Sequence, residues 1–441
     1  MNGSRAVPCP ADAGAEALHP AQEWVRTFHT RSLSHAGAQS LLQAARALRR
    51  RLPGVLREQE FNCKDLDKAF ACQWVDGEHV LIGTKCNQLL CLNISSQLQI
   101  KIPLPDRPGR PAILEAVSTP YKHCGMHCIA VSPDGQRIAT GGHDPSDCQV
   151  FDVSETNNRG QAPSFTPGQT LMGHQDWLFG ASWITEQHIA TASRDKTIKL
   201  WDVGACQDAI NLDPVESVEA HEGKVRALSF CHQTRQLASL SSDATVKIWD
   251  PHIQRSTEQV NLPLDKELVC MAMRSDLLAI GSNSHIMFLD PRLPRMLTRV
   301  VESLDGSQGV RSLCFQDELV SCGSGRGHLF FYDLRASAYM PLSHEIESKA
   351  DAGPKPGQWH APGTCEGRLR NGRLGSCERD CLQIGKGWLW TEDRIYREIF
   401  AHEMIYNACY AHAWDSTQTK LMCVGGPLAF GLTGCYIGLW H

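Results

Sequence analysis

Apolar and polar positions alternate in short runs along most of this chain, and the runs come in pairs separated by a polar turn. Residues 190–203 read "ATASRDKTIKLWDV" and residues 237–250 read "LASLSSDATVKIWD". In each, an apolar run, a turn bearing an aspartate and a second alternating run lead to tryptophan and aspartate. Period-two alternation broken by a polar turn predicts a hairpin of half-buried strands. A histidine precedes each hairpin: His174 in "GHQDW" and His221 in "AHEGKV". Asp195 stands six residues before Trp201, and Asp243 six before Trp249. Weaker copies end at Leu92-Asn93, Phe151-Asp152, Leu289-Asp290, Tyr332-Asp333 and Trp440, which makes seven units. Most are spaced by about 40 to 60 residues, the length that four short strands and their turns require.

A four-stranded sheet of this kind cannot bury both of its faces alone, whereas several packed in a ring can. The ring must also close, and "EFNCKDL" at residues 60–66 is placed to add the outer strand to the last unit. Three segments stand outside the repeats. Residues 1–36 are rich in Ala, Pro, Gly and His and are expected to be a disordered tail. Residues 349–380 are rich in Gly, Pro and charge and read as a mobile loop between the sixth and seventh units. Between tail and ring, Leu41, Leu42, Ala45, Leu48 and Leu52 recur at helical spacing, with Arg46, Arg49 and Arg50 mainly off that stripe. Pro53 ends this helix and opens a second over residues 55–60, so residues 37–60 are predicted to form a helical hairpin. It either covers one sheet or binds a partner.

Charge and chemistry narrow the function. The chain carries 43 basic and 48 acidic residues, a balance unlike that of a general nucleic-acid binder. No stretch approaches the roughly 20 apolar residues that span a bilayer, so no membrane partner is expected. The N-terminus has no apolar core of a secretory leader. The 19 cysteines are therefore expected to be reduced and mostly buried, in cytosol or nucleus. "GSGRGH" at 323–328 precedes a strand and reads as a turn, not a phosphate loop. "CGMHC" at 124–128 would alternate its side chains along one strand, which disfavours joint metal binding. His360, Cys365, Cys377 and Cys381 fit no zinc module by spacing. No nucleophile–base pair is evident, so no enzyme activity, metal or cofactor is expected.

The repeats resemble the WD-repeat β-propeller over roughly residues 61–441, on that family's repeat length. The expected fold is all-β, a seven-bladed WD-repeat propeller with an N-terminal helical hairpin. The resemblance implies a hydrogen-bonded network within a blade, with His174, Asp195 and Trp201 in one and His221, Asp243 and Trp249 in the next. It also places the residue before the turn aspartate, and the start of the innermost strand, on one face near the central channel. Arg194 and Lys85 hold the first position; Arg226, Arg311 and Lys68 hold the second. Like charges gathered without a partner repel, so five cations at one mouth suggest an acidic ligand. The alternative is a set of solvated rim charges, each paired with a nearby acid.

"GTKCN", "GHQDW", "SRD", "KVRAL", "GVRSL", "FYDLRA", "GKGWL" and "GGPL" followed by "GL" occur in that order. Together they resemble the twelfth-numbered branch of the cullin-4-associated WD-repeat substrate receptors. That resemblance implies a non-catalytic subunit of a cullin-4 RING ubiquitin ligase that holds the damaged-DNA-binding adaptor protein. It further implies a reader of acidic C-terminal degrons of the Glu-Glu type, with Lys68, Lys85, Arg194, Arg226 and Arg311 at the degron. The adaptor contact would fall on the N-terminal hairpin, through Leu41, Leu42 and Leu48, and on Asp333-Leu334-Arg335, with Asp290-Pro291-Arg292 as a second candidate. The basic "RKRKAP"-like start of those receptors is absent here. Two other classes remain open: a WD-repeat scaffold without ligase association, and a hydrolytic or acid-binding propeller enzyme.

Overall fold

The structure is a computed structural model and describes residues 54–105, 125–154, 163–203, 209–211, 220–251, 255–263, 268–274, 277–293, 297–306, 308–341 and 381–441. The expected tail (1–36), the helix with Leu41, Leu42 and Leu48, and the inserted segment 349–380 lie outside the described residues.

Seven antiparallel sheets form the blades of a propeller, each a meander in chain order except the last. Their innermost strands are Ala69–Trp74, Ile129–Val131, Leu178–Trp183, Val225–Cys231, Cys270–Arg274, Val310–Gln316 and Asn407–Trp414. Hydrophobic clusters bridge the seams. One joins Val150 and Leu171 of the second blade to Ile189 and Trp201 of the third. Another joins Ile248 and Val260 of the fourth to Leu278 and Met287 of the fifth. Second strands such as His79–Thr84 and Leu319–Ser324 are buried on both faces, one against each neighbouring blade, rather than half-buried. Third strands keep alternate residues such as Lys199 and Lys247 half-exposed, which is where the alternation is retained.

Ring closure differs in detail from the expectation. The outer strand of the last blade is Glu58–Glu60, paired antiparallel with Gly434–Trp440 so that Glu58 faces Trp440 and Glu60 faces Gly438. Residues 55–60 are therefore not the second helix of a hairpin; only Gly54 and Val55 are helical. The unpaired amides and carbonyls of Gly434–Trp440 need partners, and strand pairing supplies them. Phe61 and Cys63 follow directly and bury their side chains with Val424, Ile437 and Leu439 between the last and first blades. Of the expected strand in 60–66 only Glu60 belongs to the closing strand, and Phe61 and Cys63 carry the anchor.

The polar networks of the third and fourth blades are present. His174 Nδ1 lies 2.9 Å from Asp195 Oδ2, and its Nε2 lies 2.8 Å from Thr191 Oγ1. Trp201 Nε1 donates to the same hydroxyl at 2.7 Å. In the fourth blade His221 Nε2 lies 2.7 Å from Ser239 Oγ, which accepts from Trp249 Nε1 at 2.8 Å. Asp243 Oδ2 stands 3.5 Å from His221 Nδ1. A related arrangement crosses the seam between the last two blades: His412 bonds Ser312 Oγ at 2.7 Å and Ser321 Oγ at 2.8 Å, and Trp414 Nε1 donates to Ser321 Oγ at 3.1 Å. Burial pushes the Asp195 carboxyl up, but bonds from His174, the Gln175 amide and Thr197 outweigh it and hold it below the ordinary range. Burial also pulls His221 down to about 4, only partly opposed by Asp243. The described cysteines are free thiols, mostly buried.

Two outcomes follow from these networks. Trp201→Ala removes a fully buried aromatic and should destabilise the propeller by roughly 3–5 kcal/mol, read as a lower midpoint in thermal or denaturant unfolding. His221 is neutral in the folded blade, whereas the unfolded chain takes up a proton below the ordinary value of 6.5. Stability should therefore fall as pH drops from about 6.5 towards about 4, and His221→Gln should be less stable at neutral pH but show a shallower loss over that window.

Candidate functional site

The channel wall is built by irregularity in the innermost strands. In five blades the pairing of the first and second strands slips by one residue, between Ala69 and Ala71, Leu178 and Gly180, Val225 and Ala227, Val310 and Ser312, and Cys409 and Ala411. The residues in the slips are Phe70, Phe179, Arg226, Arg311 and Tyr410. A bulge re-aims its extra side chain, and all five line a cavity of about 260 Å³ on the propeller axis, joined by His127 of the second blade.

These side chains form a collar. The Phe70 and His127 rings stack at 4.7 Å with planes 10° apart. Tyr410 meets Phe70 edge-on at 5.1 Å, and Phe179 meets His127 edge-on at 5.1 Å. Arg226 Cζ stands 4.9 Å from the Phe179 ring centre. Arg311 Nε donates to Gln308 O at 3.0 Å. Burial pushes the Tyr410 hydroxyl up to about 12 despite the Arg311 charge, so the ring stays neutral. Gly125 makes the stack feasible: at φ +85°, a Cβ there would lie 2.8 Å from the Phe70 ring and 2.9 Å from Lys85 Cα. "CGMHC" is thus split, with His127 on the channel and Cys128 in the core between blades.

The five cations share one face of the disc but not one position. Arg226 and Arg311 line the cavity itself. Arg194 stands one aromatic further out, its Cζ 4.8 Å from the Trp177 ring centre, with Trp177 in turn 6.5 Å from Phe179. Its Nε lies 3.5 Å from Asp176. Lys85 Nζ pairs with Asp67 Oδ2 at 2.6 Å. Lys68 is buried, donates from Nζ to Ala429 O at 3.2 Å, and is joined to Lys85 through the backbone. Burial and the Lys85 charge bring its ammonium down to about 8, against the pull of Asp67. Lys85 and, in part, Arg194 are thus paired with neighbouring acids, as solvated rim charges would be.

Arg335 lies at the other end of its blade. Arg194 and Lys85 follow second strands, whereas Arg335 follows the third strand His328–Asp333, which runs the opposite way. Asp333 is buried, and its Oδ1 accepts from the Arg335 and Ala336 amides at 2.8 and 3.1 Å. The Arg335 side chain is exposed, 3.9 Å from Glu318. Arg292 differs: its guanidinium is clamped by its own Asp290 through bonds of 2.9 and 2.8 Å. Among the described residues no group of His, Cys, Asp or Glu is arranged to hold a metal ion, and no helix is long and apolar enough to cross a membrane.

Sequence reading missed the aromatic half of the collar. Lys68 aligns with Lys224, two residues before Arg226, and the same step from Lys68 reaches Phe70. "WLF" and "ACY" stand at the matching places of the third and seventh blades. The register shared with Arg226 is the signal, but an aromatic in a strand fits a core as readily as a channel.

Curated relatives share the repeat with this chain. It is 30% identical over 151 residues to a ribosome biogenesis protein WDR12 homolog of Ixodes scapularis, covering 30% of this chain and 34% of that protein. It is 30% and 31% identical over 155 residues to guanine nucleotide-binding protein β subunits of Zea mays and Oryza sativa subsp. japonica, covering 33% of this chain and 40% of each. The chain thus matches well under half the length of these relatives, whose names describe unlike roles. A family model fits far more of it. The model for the DDB1- and CUL4-associated factor 12 beta propeller matches residues 52–216 and 205–441, spanning the whole ring. With seven blades, closure from residue 58 and repeat networks in place, the chain belongs to the DDB1- and CUL4-associated factor 12 beta propeller family.

Proposed function

We propose that this protein is a non-catalytic substrate receptor of a cullin-4 RING ubiquitin ligase, working in cytosol or nucleus, that reads acidic C-termini of client proteins in its channel mouth. The observation that carries the reading is the pair of bulge arginines, Arg226 and Arg311, in the channel wall, with Lys68, Lys85 and Arg194 around it on the same face. A chain ending in Glu-Glu brings three negative charges: two side chains and the terminal carboxylate. Arginine meets a carboxylate with two parallel hydrogen bonds, and lysine acts as a point charge. The Phe70, Phe179 and Tyr410 rings lower the local dielectric around these contacts and strengthen them. A ligand carboxylate also offers Lys85 and Arg194 a partner in place of Asp67 and Asp176.

The adaptor would be held through Arg335, on the face opposite the mouth, and through the N-terminal segment that includes Leu41, Leu42 and Leu48, wherever that segment docks. Arg335 suits this better than Arg292, whose guanidinium is already occupied by Asp290. The rival reading, a WD-repeat scaffold without a ligase, predicts no adaptor association.

Removing residues 1–52 leaves the closing strand Glu58–Glu60 intact. That truncation combined with Arg335→Ala should abolish co-purification with the adaptor while the unfolding midpoint holds, since an interface arginine commonly contributes on the order of 2 kcal/mol or more. Adaptor binding that survives both changes would overturn this placement of the contact, and an intact chain that binds no adaptor would favour the scaffold. In calorimetric titration, Arg226→Ala should weaken a Glu-Glu peptide at least about tenfold, roughly 1.4 kcal/mol. Amidating the peptide's C-terminus should weaken it comparably, and free-acid, amidated and Gln-Gln peptides binding alike would sink the degron reading. Affinity should also fall as pH rises from roughly 7 to 9, because Lys68 loses its proton near pH 8. Lys68→Arg, which stays charged, should flatten that fall.

A further inference from the structure

Six of the twelve exposed large apolar side chains among the described residues belong to one region of the chain. Trp390, Ile395, Ile399, Met404, Tyr406 and Phe430 are all exposed, Met404 at 76% and Phe430 at 97%. All six belong to the last blade or to the segment that leads into it. The helical turn Tyr396–Phe400 buries none of its residues. The pieces are joined: the Trp390 amide donates to Thr433 O at 3.0 Å, and Ile395 packs so close to Gly431 that a Cβ there would lie 2.9 Å from it. Phe430 sits in the turn between the second and third strands of its blade, Leu421–Pro427 and Gly434–Trp440, the counterpart of the turns that carry Lys85 and Arg194. The shelf therefore lies on the mouth face. It also touches the basic rim, because the Lys68 ammonium donates to the carbonyl of Ala429, next to Phe430.

We infer that this apolar shelf docks the client segment immediately upstream of the acidic terminus, so that apolar side chains there strengthen recognition of the terminal acids. The inference rests on the C-terminal reading proposed above. A tail whose terminus is held in the channel has to leave across the rim. An extended chain advances about 3.3 Å per residue, so residues about four to eight positions before the end lie over the rim and its surroundings. Beside Lys68 that rim continues without a break into the shelf. The occupant is thus an extended, apolar stretch of client, which would take exposed apolar side chains such as Phe430 and Met404 out of water.

The test uses the full chain and two short peptides, both ending in Glu-Glu as free acids. One carries Leu and Phe about five and six residues before its end, and the other carries Ser at both places. Wild-type protein should bind the apolar peptide about fivefold or more tightly than the Ser peptide, as burial of two apolar side chains implies. The exposed pair Phe430→Ser with Met404→Ser should erase most of that preference and leave the Ser peptide's affinity and the unfolding midpoint as they were. Equal affinity of wild type for both peptides, with the Glu-Glu dependence intact, overturns the shelf and spares the C-terminal reading. Loss of the Glu-Glu dependence itself overturns that reading instead. A fall in molecular mass by light scattering in the shelf variant assigns the surface to a second copy of this chain and also overturns the inference.

Discussion

The pairing of Glu58–Glu60 with Gly434–Trp440 is the constraint on which the rest depends. Each blade buries its faces only against its neighbours, so an open ring would expose a seam as well as an unpaired strand edge. The cluster at that seam, with Phe61, Val424, Ile437 and Leu439, is the apolar counterpart of the strand pairing. Closure also sets the mouth. Lys68 donates its amide to Gly434 O and its ammonium to Ala429 O, so the first and last blades position the basic rim jointly. An alteration that opens this seam would reach the ligand site without touching any residue that contacts ligand.

The mouth balances opposed demands. Five cations on one face repel one another, and two are partly neutralised by Asp67 and Asp176. The arginines are further steadied by aromatic faces, Arg194 on Trp177 and Arg226 on Phe179. Such contacts contribute about 0.5–2 kcal/mol each. The wall is therefore organised before any ligand arrives, which reduces the ordering cost of binding. The bulges explain the placement: an extra residue in the inner strand turns a side chain to the axis while the ladder on either side stays intact.

Legibility of the sequence followed the chemistry of each element. The networks of His174 and His221 were readable because a buried histidine needs partners at fixed spacing, and Asp195, Trp201, Asp243 and Trp249 stand there. Thr191 and Ser239, which join histidine to tryptophan, carry no individual signal in a strand rich in small residues. The weaker blades were readable from alternation alone. Residues 55–60 were read as helix because local pattern and Pro53 favour one; tertiary strand pairing overrode that preference, as it often does for short segments. The cations were placed on the right face by alignment between repeats. What the alignment did not reveal was depth: only Arg226 and Arg311 occupy bulges, and a bulge is a property of pairing between strands.

The account's central claim is that the charge of the bulge arginines selects an acidic terminus. A charge exchange tests it most directly: Arg226→Glu with Arg311→Glu, titrated against peptides ending in Glu-Glu and in Lys-Lys-amide. The wild type should bind the first and not the second, and the exchanged protein should reverse that order while retaining its unfolding midpoint. An exchanged protein that is folded and still binds the Glu-Glu peptide as the wild type does would contradict the claim.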